Sequence, residues 1–218
     1  MFNHNFVDIK KIKQINRESG RVYQTPENRK YPSITTVLSQ TKDQSFLVEW
    51  RKRVGEEEAD RITRRAALRG TDLHLACEHY LLNKKPDLSK IATKRNFQQL
   101  EPMLKNIDNV RGLEIPLYSD ILKIAGTADC IAEYKGVLSI IDFKTSRKPK
   151  KEEWIEDYFL QCTFYAFAYK ELYGEFPKKL QIIMATDCFS PCIFTKDIVQ
   201  YKSKLIERRK NFYKKRGL

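Results

Sequence analysis

The segment from Ile124 to Thr145 constrains the fold of this chain more than any other. Two runs rich in β-branched and apolar residues, 124–134 and 137–145, are separated only by Lys135-Gly136, which suits a two-residue hairpin loop. With Tyr134 paired to Val137, the same antiparallel register sets Asp129 directly opposite Asp142. Directly opposed side chains share one face of a sheet, with Cβ atoms about 5 Å apart. Strand alternation then adds Lys144 to that face, two residues beyond Asp142.

Two facing carboxylates repel each other and are costly beside an apolar strand unless something positive offsets them. Lys144 supplies one charge, and a divalent cation held by both carboxylates supplies more. Such oxygen donors suit Mg2+ or Mn2+, and Mg2+ keeps several waters. A water acidified by the metal is a nucleophile for a phosphodiester. Lys144 is placed to orient or deprotonate that water, or to neutralise developing charge. The plainer alternative is an Asp–Lys salt bridge at a strand end. Asp-x-Lys alone arises often by chance, but a register-matched Asp on the partner strand is rarer, and that favours a functional centre.

The rest of the chain supplies elements around this hairpin. Residues 20–27 read as a short strand ending at Pro26, and Ser33 is a candidate N-cap for a short helix over 34–40. From Phe46 to Leu68 apolar residues recur at helical spacing. A break is expected at Gly70, with Thr71 or Asp72 capping a next helix that runs to about Leu82. A further helix is expected over 88–107, and then the period becomes that of strands. Leu113 to Tyr118 precedes the hairpin, with Pro116 pointing to an edge or bulge. A helix from Glu153 to Tyr173 ends at Gly174. Strands follow at 180–186 and 192–195, and a basic helix from Asp197. This order implies an α/β protein with a central mixed sheet flanked by helices.

Charge points to the partner. Among 218 residues, 41 Lys and Arg face 28 Asp and Glu, a net charge of +13. So basic a protein usually meets a polyanion, nucleic acid above all. Arg65 and Arg69 in one basic run, and Arg147, Lys148, Lys150 and Lys151 directly after Lys144, suit phosphate contacts. Each run taken alone is more often a solvated face. Tyr23, Tyr31, Phe46 and Trp50 suit stacking on single-strand bases, although core packing is the plainer expectation for them.

Composition also excludes classes. No apolar run approaches the roughly 18 residues of a membrane span, and no G-x-x-x-x-G-K-[ST] phosphate loop occurs. The five cysteines, Cys77, Cys130, Cys162, Cys188 and Cys192, form no C-x-x-C pair and read as reduced thiols. No membrane contact, nucleotide cofactor or iron–sulfur cluster is therefore expected. The expected location is cytoplasmic, meaning the host cytoplasm for a phage-encoded chain.

Gly126-Thr127-Ala128-Asp129, Ile140-Ile141-Asp142-Phe143-Lys144-Thr145 and Gln161-Cys162-Thr163-Phe164-Tyr165, in that order, resemble the RecB-type branch of the PD-(D/E)xK nucleases. Upstream, Gly70-Thr71-Asp72-Leu73-His74 resembles the motif that gives that branch a histidine near its metals. Within the branch, the tract from Tyr31 to Leu38 is similar to the start of phage-encoded exonucleases and mitochondrial genome maintenance exonucleases. The resemblance covers about residues 20–175 and implies a restriction-endonuclease-like core. It implies Asp129 and Asp142 as metal ligands, with the Phe143 carbonyl as a third, and Lys144 as the catalytic lysine. It sets His74 at a second metal or the scissile phosphate, and Gln161 and Tyr165 beside the site on one helix face. Glu114 would be an auxiliary acidic ligand. The motif acid before the lysine is Asp142 rather than Glu, a variant the motif allows.

The expectation is one domain over 1–218. Residues 1–108 would be mainly helical and form a clamp or arch for DNA, and 109–218 would form the catalytic sheet core and a C-terminal helix. The implied activity is hydrolysis of DNA from an end, preferentially single-stranded, with one or two Mg2+ or Mn2+ ions. It would serve replication, recombination or degradation, alongside replication or recombination proteins. The rivals are a structure-specific or restriction-like endonuclease with the same centre, and a non-catalytic nucleic-acid-binding protein.

Overall fold

The computed structural model describes residues 1–187 and 190–217. Its N-terminal part opens with a small antiparallel sheet of β1 (Lys13–Arg17), β2 (Gly20–Gln24) and β3 (Lys30–Pro32), in that order. Only β2 was legible beforehand, because β1 (KQINR) carries a single apolar residue and β3 spans three. Tyr23 and Tyr31 lie buried between this sheet and Tyr118 and Ala125, which makes them core residues. Helix α1 (Ile34–Thr41) follows, capped by the Ser33 hydroxyl accepting from the Thr36 N–H at 3.0 Å.

Helices α2 (Ser45–Val54) and α3 (Glu56–Leu81) are broken at Gly55, not at Gly70. Gly55 takes φ +85°, a conformation costly for any side-chain-bearing residue. Gly70 costs its helix about 1 kcal/mol relative to alanine. The burial of Leu73, Ala76, Cys77 and Leu81 one turn later carries the helix through it. Helix α4 (Ile91–Leu104) stops short of Ile107, which opens the first strand of the main sheet.

That sheet has five strands ordered as in the chain: β4 (Ile107–Ser119), β5 (Ile124–Tyr134), β6 (Val137–Ser146), β7 (Lys179–Thr186) and β8 (Cys192–Asp197). All neighbours are antiparallel except β6 and β7. A parallel pair needs a long crossover, and α5 (Glu156–Tyr173) provides it, ending at Gly174 with φ +81°. Helix α6 (Lys202–Lys214) closes the same side. The sheet is thus mixed and flanked by helices, as expected. One face packs against α1, α5 and α6, the other against α3 and α4.

The β5–β6 register is the one expected, from Tyr134–Val137 to Cys130–Ile141. On β6, Ile140 faces the α5 side while Ile141 and Phe143 face the α3 side. The strands β4 and β5 change sides together. Leu113 and Cys130 belong to the α3 side, whereas Ile115 and Ala128 belong to the α5 side. The pivot is Glu114, whose backbone sits at φ +45° between the rungs Leu113–Cys130 and Ile115–Ala128, and so across from Asp129. A non-glycine residue held in that region is strained, and here the strain lies between two acidic residues.

Candidate active site

The acidic centre forms where the β5–β6 ladder gives out. Pairing stops at Cys130–Ile141, and the Asp129 side chain supplies the next rung, its Oδ2 accepting the Phe143 N–H at 2.8 Å. Because Asp129 sits at the pivot, its carboxylate turns across the strand end and not flush with Asp142. Asp142 and Lys144 are ion-paired, and Lys144 Nζ lies 4.9 Å from the centre of the Tyr158 ring on α5. The Asp142 side chain is 1% exposed, and its Oδ1 has no hydrogen-bond partner among the described residues.

Burial raises the Asp142 carboxyl above the ordinary range, and the nearby Asp129 adds to this against the pull of Lys144. Burial alone would lower Lys144, but Asp142 and Asp129 outweigh it and hold the lysine as an ammonium. Glu114, with 43% of its side chain exposed, is pushed up to about 7 by partial burial and then by Asp129.

His74 reaches this centre from α3. Its Nε2 lies 2.6 Å from the Phe143 carbonyl oxygen, which only accepts, so Nε2 is assigned the proton. Its Nδ1 lies 3.5 Å from Asp129 Oδ2 and 3.9 Å from Glu114 Oε1. Two carboxylates gathered at one imidazole nitrogen call for positive charge there, from a ring proton or a bound cation. His74, Glu114 and Asp129 each bring one ligand atom within 4.8 Å of the others.

The donor set fits a hard divalent cation. The group itself offers the carboxylates of Glu114 and Asp129 and one imidazole; Asp142 is not part of it, but its Oδ1 is buried with no hydrogen-bond partner among the described residues, unlike most such atoms. The Phe143 carbonyl, expected as a ligand in its own right, is engaged by His74.

On α5, Gln161 Nε2 donates to the Tyr165 hydroxyl at 3.1 Å. Burial keeps that phenol far from ionising. Tyr165 packs so closely on β5 that a Cβ at Gly126 would stand 2.8 Å from its ring, which is why a glycine precedes the acidic residue there. Tyr158 was missed from sequence, although it lies three residues before Gln161, on the same helical stripe.

Among the basic residues, Arg65, Arg147, Lys148, Lys150 and Lys151 are exposed. Lys151 lies 4.0 Å from Glu153 and 5.5 Å from the centre of the Trp154 ring. Arg69 is not a free cation. Its Nη1 contacts both Asp187 oxygens, at 2.7 and 2.9 Å, tying α3 to the segment after β7. Asp187 carried no signal in the sequence. Cys77, Cys130 and Cys162 are buried free thiols, and Cys188 lies outside the described residues.

A strand-borne acidic pair with a lysine two residues on, a helical histidine and a crossover helix behind them define the class. The chain belongs to the PD-(D/E)XK nuclease superfamily, whose family model matches residues 21–188. Its relatives include Mitochondrial genome maintenance exonuclease 1 of Homo sapiens, 36% identical over 143 residues, 61% of this chain and 40% of that protein. The Mus musculus counterpart is 35% identical over 129 residues, 55% of this chain and 38% of that protein. The chain thus spans about 40% of the length of these relatives. A solved structure from Eubacterium rectale overlays on 67% of this chain and 68% of its own at 13% identity and a TM-score of 0.42, too loosely to carry an argument. The relatives are mitochondrial by name, so they lend the cytoplasmic expectation no support. No described helix is long and apolar enough to cross a membrane.

Proposed function

We propose that this chain is a divalent-metal-dependent DNA exonuclease that hydrolyses phosphodiesters at DNA ends, preferring single strands, in replication, recombination or degradation. Replication or recombination proteins are its expected company. The observation that carries the reading is the buried Asp142 carboxylate, ion-paired through one oxygen to Lys144 and with no hydrogen-bond partner for the other among the described residues.

Asp129, Asp142, Glu114 and His74, with the Phe143 carbonyl, would hold Mg2+ or Mn2+. The bound ion supplies Lewis acidity and an acidified water. Lys144, fixed as an ammonium between Asp142 and Tyr158, neutralises charge that gathers on the phosphate. His74 orients the Phe143 carbonyl and turns Nδ1 to the acidic pair. Gln161 and Tyr165 brace β5 through Gly126 and so keep Asp129 in register.

Arg147, Lys148, Lys150 and Lys151 follow β6 directly and would meet phosphates as the strand leaves the centre. Arg65 would do so from α3, while Arg69 contributes by fixing α3. Between Lys42 and Asp72 only Ala59 is buried. Such a thinly packed arm supports a clamp that closes on a strand. Phe46, 76% exposed, and half-buried Trp50 on α2 offer stacking faces for unpaired bases.

The test uses the purified protein with end-labelled linear single strands and covalently closed single-stranded circles, with and without Mg2+. Linear strands should shorten only with Mg2+, and circles should resist. Circles cut as fast as linear strands would overturn the requirement for an end.

A further inference from the structure

A groove of about 370 Å³ lies between the β4–β5 turn, α5 and α6, and shares no residue with the acidic centre. Its floor is apolar, formed by Leu122, Phe167, Leu205 and Ile206. Ile121 is 77% exposed at the lip. An exposed isoleucine beside an apolar trough is the pattern of a contact surface.

The rim tells what covers it. Lys170 and Lys202 flank the groove, their ammonium groups 5.5 Å from the centre of the Phe176 ring and 5.8 Å from that of Phe167. Among the described residues no ion pair is formed by either. Arg209 adds a third positive group beside the floor, its Nε donating to the Leu122 carbonyl at 3.0 Å. The nearest acids already have hydrogen-bond or ion-pair partners. Glu171 accepts from the Ser119 hydroxyl and from the Asp120 and Ile121 N–H groups, and Asp120 pairs with Arg29 at 2.6 Å.

We infer that this groove docks a short acidic peptide segment of a partner protein. One apolar side chain sits on Ile121, Phe167 and Ile206, and flanking carboxylates pair with Lys170 and Lys202. Nucleic acid fits less well, since phosphates gain nothing from an apolar floor and track rows of cations instead. A peptide with both an apolar anchor and negative charge uses the whole surface.

The test is panning of random twelve-residue phage-displayed peptides against the full chain, followed by fluorescence anisotropy with the enriched peptide. Enriched sequences should combine Asp or Glu with Leu, Ile or Phe. Their affinity should fall at least about tenfold in the Lys170→Glu, Lys202→Glu double variant. That variant should keep the wild-type melting temperature and bind an oligothymidine within about twofold of wild type. Ile206→Asp should weaken the peptide while leaving the lysines in place. No enrichment, or a peptide that binds both variants as tightly as wild type, overturns the inference. A parallel loss of oligothymidine binding assigns the groove to nucleic acid and overturns it too, as does a dimer that Ile206→Asp dissolves.

Discussion

Toward its turn the β5–β6 hairpin pairs residue for residue, and Ile131, Ala132 and Ile140 there are fully buried. At its open end the pairing stops, and a carboxylate side chain stands in for a backbone rung. The same two strands thus carry two kinds of structure. The turn end is held by apolar burial and ladder hydrogen bonds, and it needs no ion. At the open end Asp142 is buried with an oxygen that has no hydrogen-bond partner among the described residues, Glu114 on neighbouring β4 sits at φ +45°, and His74 on α3 brings Nδ1 within 3.5 Å of Asp129 Oδ2. The first two work against stability, and all three make sense around a cation. Local rules fail where function is stored.

Substitutions that separate the two ends test this contrast. The largest effect is expected at the open end. Asp142→Asn or Lys144→Ala should lower the rate of Mg2+-dependent DNA hydrolysis about 1,000-fold or more, since several kcal/mol of charge stabilisation are removed. Wild-type activity in either variant, measured on end-labelled DNA, places the chemistry elsewhere. His74→Ala comes next. It should raise the Mg2+ or Mn2+ concentration needed for half-maximal rate by about 10- to 100-fold, with excess metal restoring much of the rate. A loss that no metal concentration repairs would make His74 a participant at the phosphate and not a holder of the metal site.

Substitutions away from the centre should do less to the chemistry. Replacing Lys148 and Lys150 by alanine should weaken DNA binding several-fold and flatten its salt dependence by about one unit of log–log slope per lysine, or somewhat less on single strands. The turn end should matter least for rate and heavily for stability. Ile140→Ala, fully buried against α5, should cost about 2–5 kcal/mol in urea unfolding. The rate per folded molecule should stay near wild type. If Ile140→Ala instead loses activity in proportion to Asp142→Asn, the two ends are not separable.

The hairpin was legible because its signal is local: Lys135-Gly136 between two β-branched runs fixes the register, which holds as far as Cys130–Ile141, one rung short of Asp129 and Asp142. The expected common face was only partly right. Nothing near Glu114 announces a left-handed backbone at a non-glycine residue, so the change of sides that turns Asp129 toward His74 had no sequence trace. The helix break went to Gly70 and not Gly55, since the two glycines look alike locally. What decides between them is the burial of Leu73 and Ala76 against α4 and the sheet, which is tertiary. The strands β1 and β3 are short and polar, and their ordering depends on Tyr23 and Tyr31 reaching the core of a distant segment. Asp187, which engages Arg69, lies 118 residues from it in the chain.

A cation shared by the two strands at the open end is tested most directly by calorimetric titration of Mn2+ into the metal-free protein, with folding verified for each variant. Wild type and Ile140→Ala should bind one or two ions with the same affinity, and Asp142→Asn should bind at least about tenfold more weakly. Equal affinity in wild type and Asp142→Asn would contradict a metal centre built across the end of this hairpin.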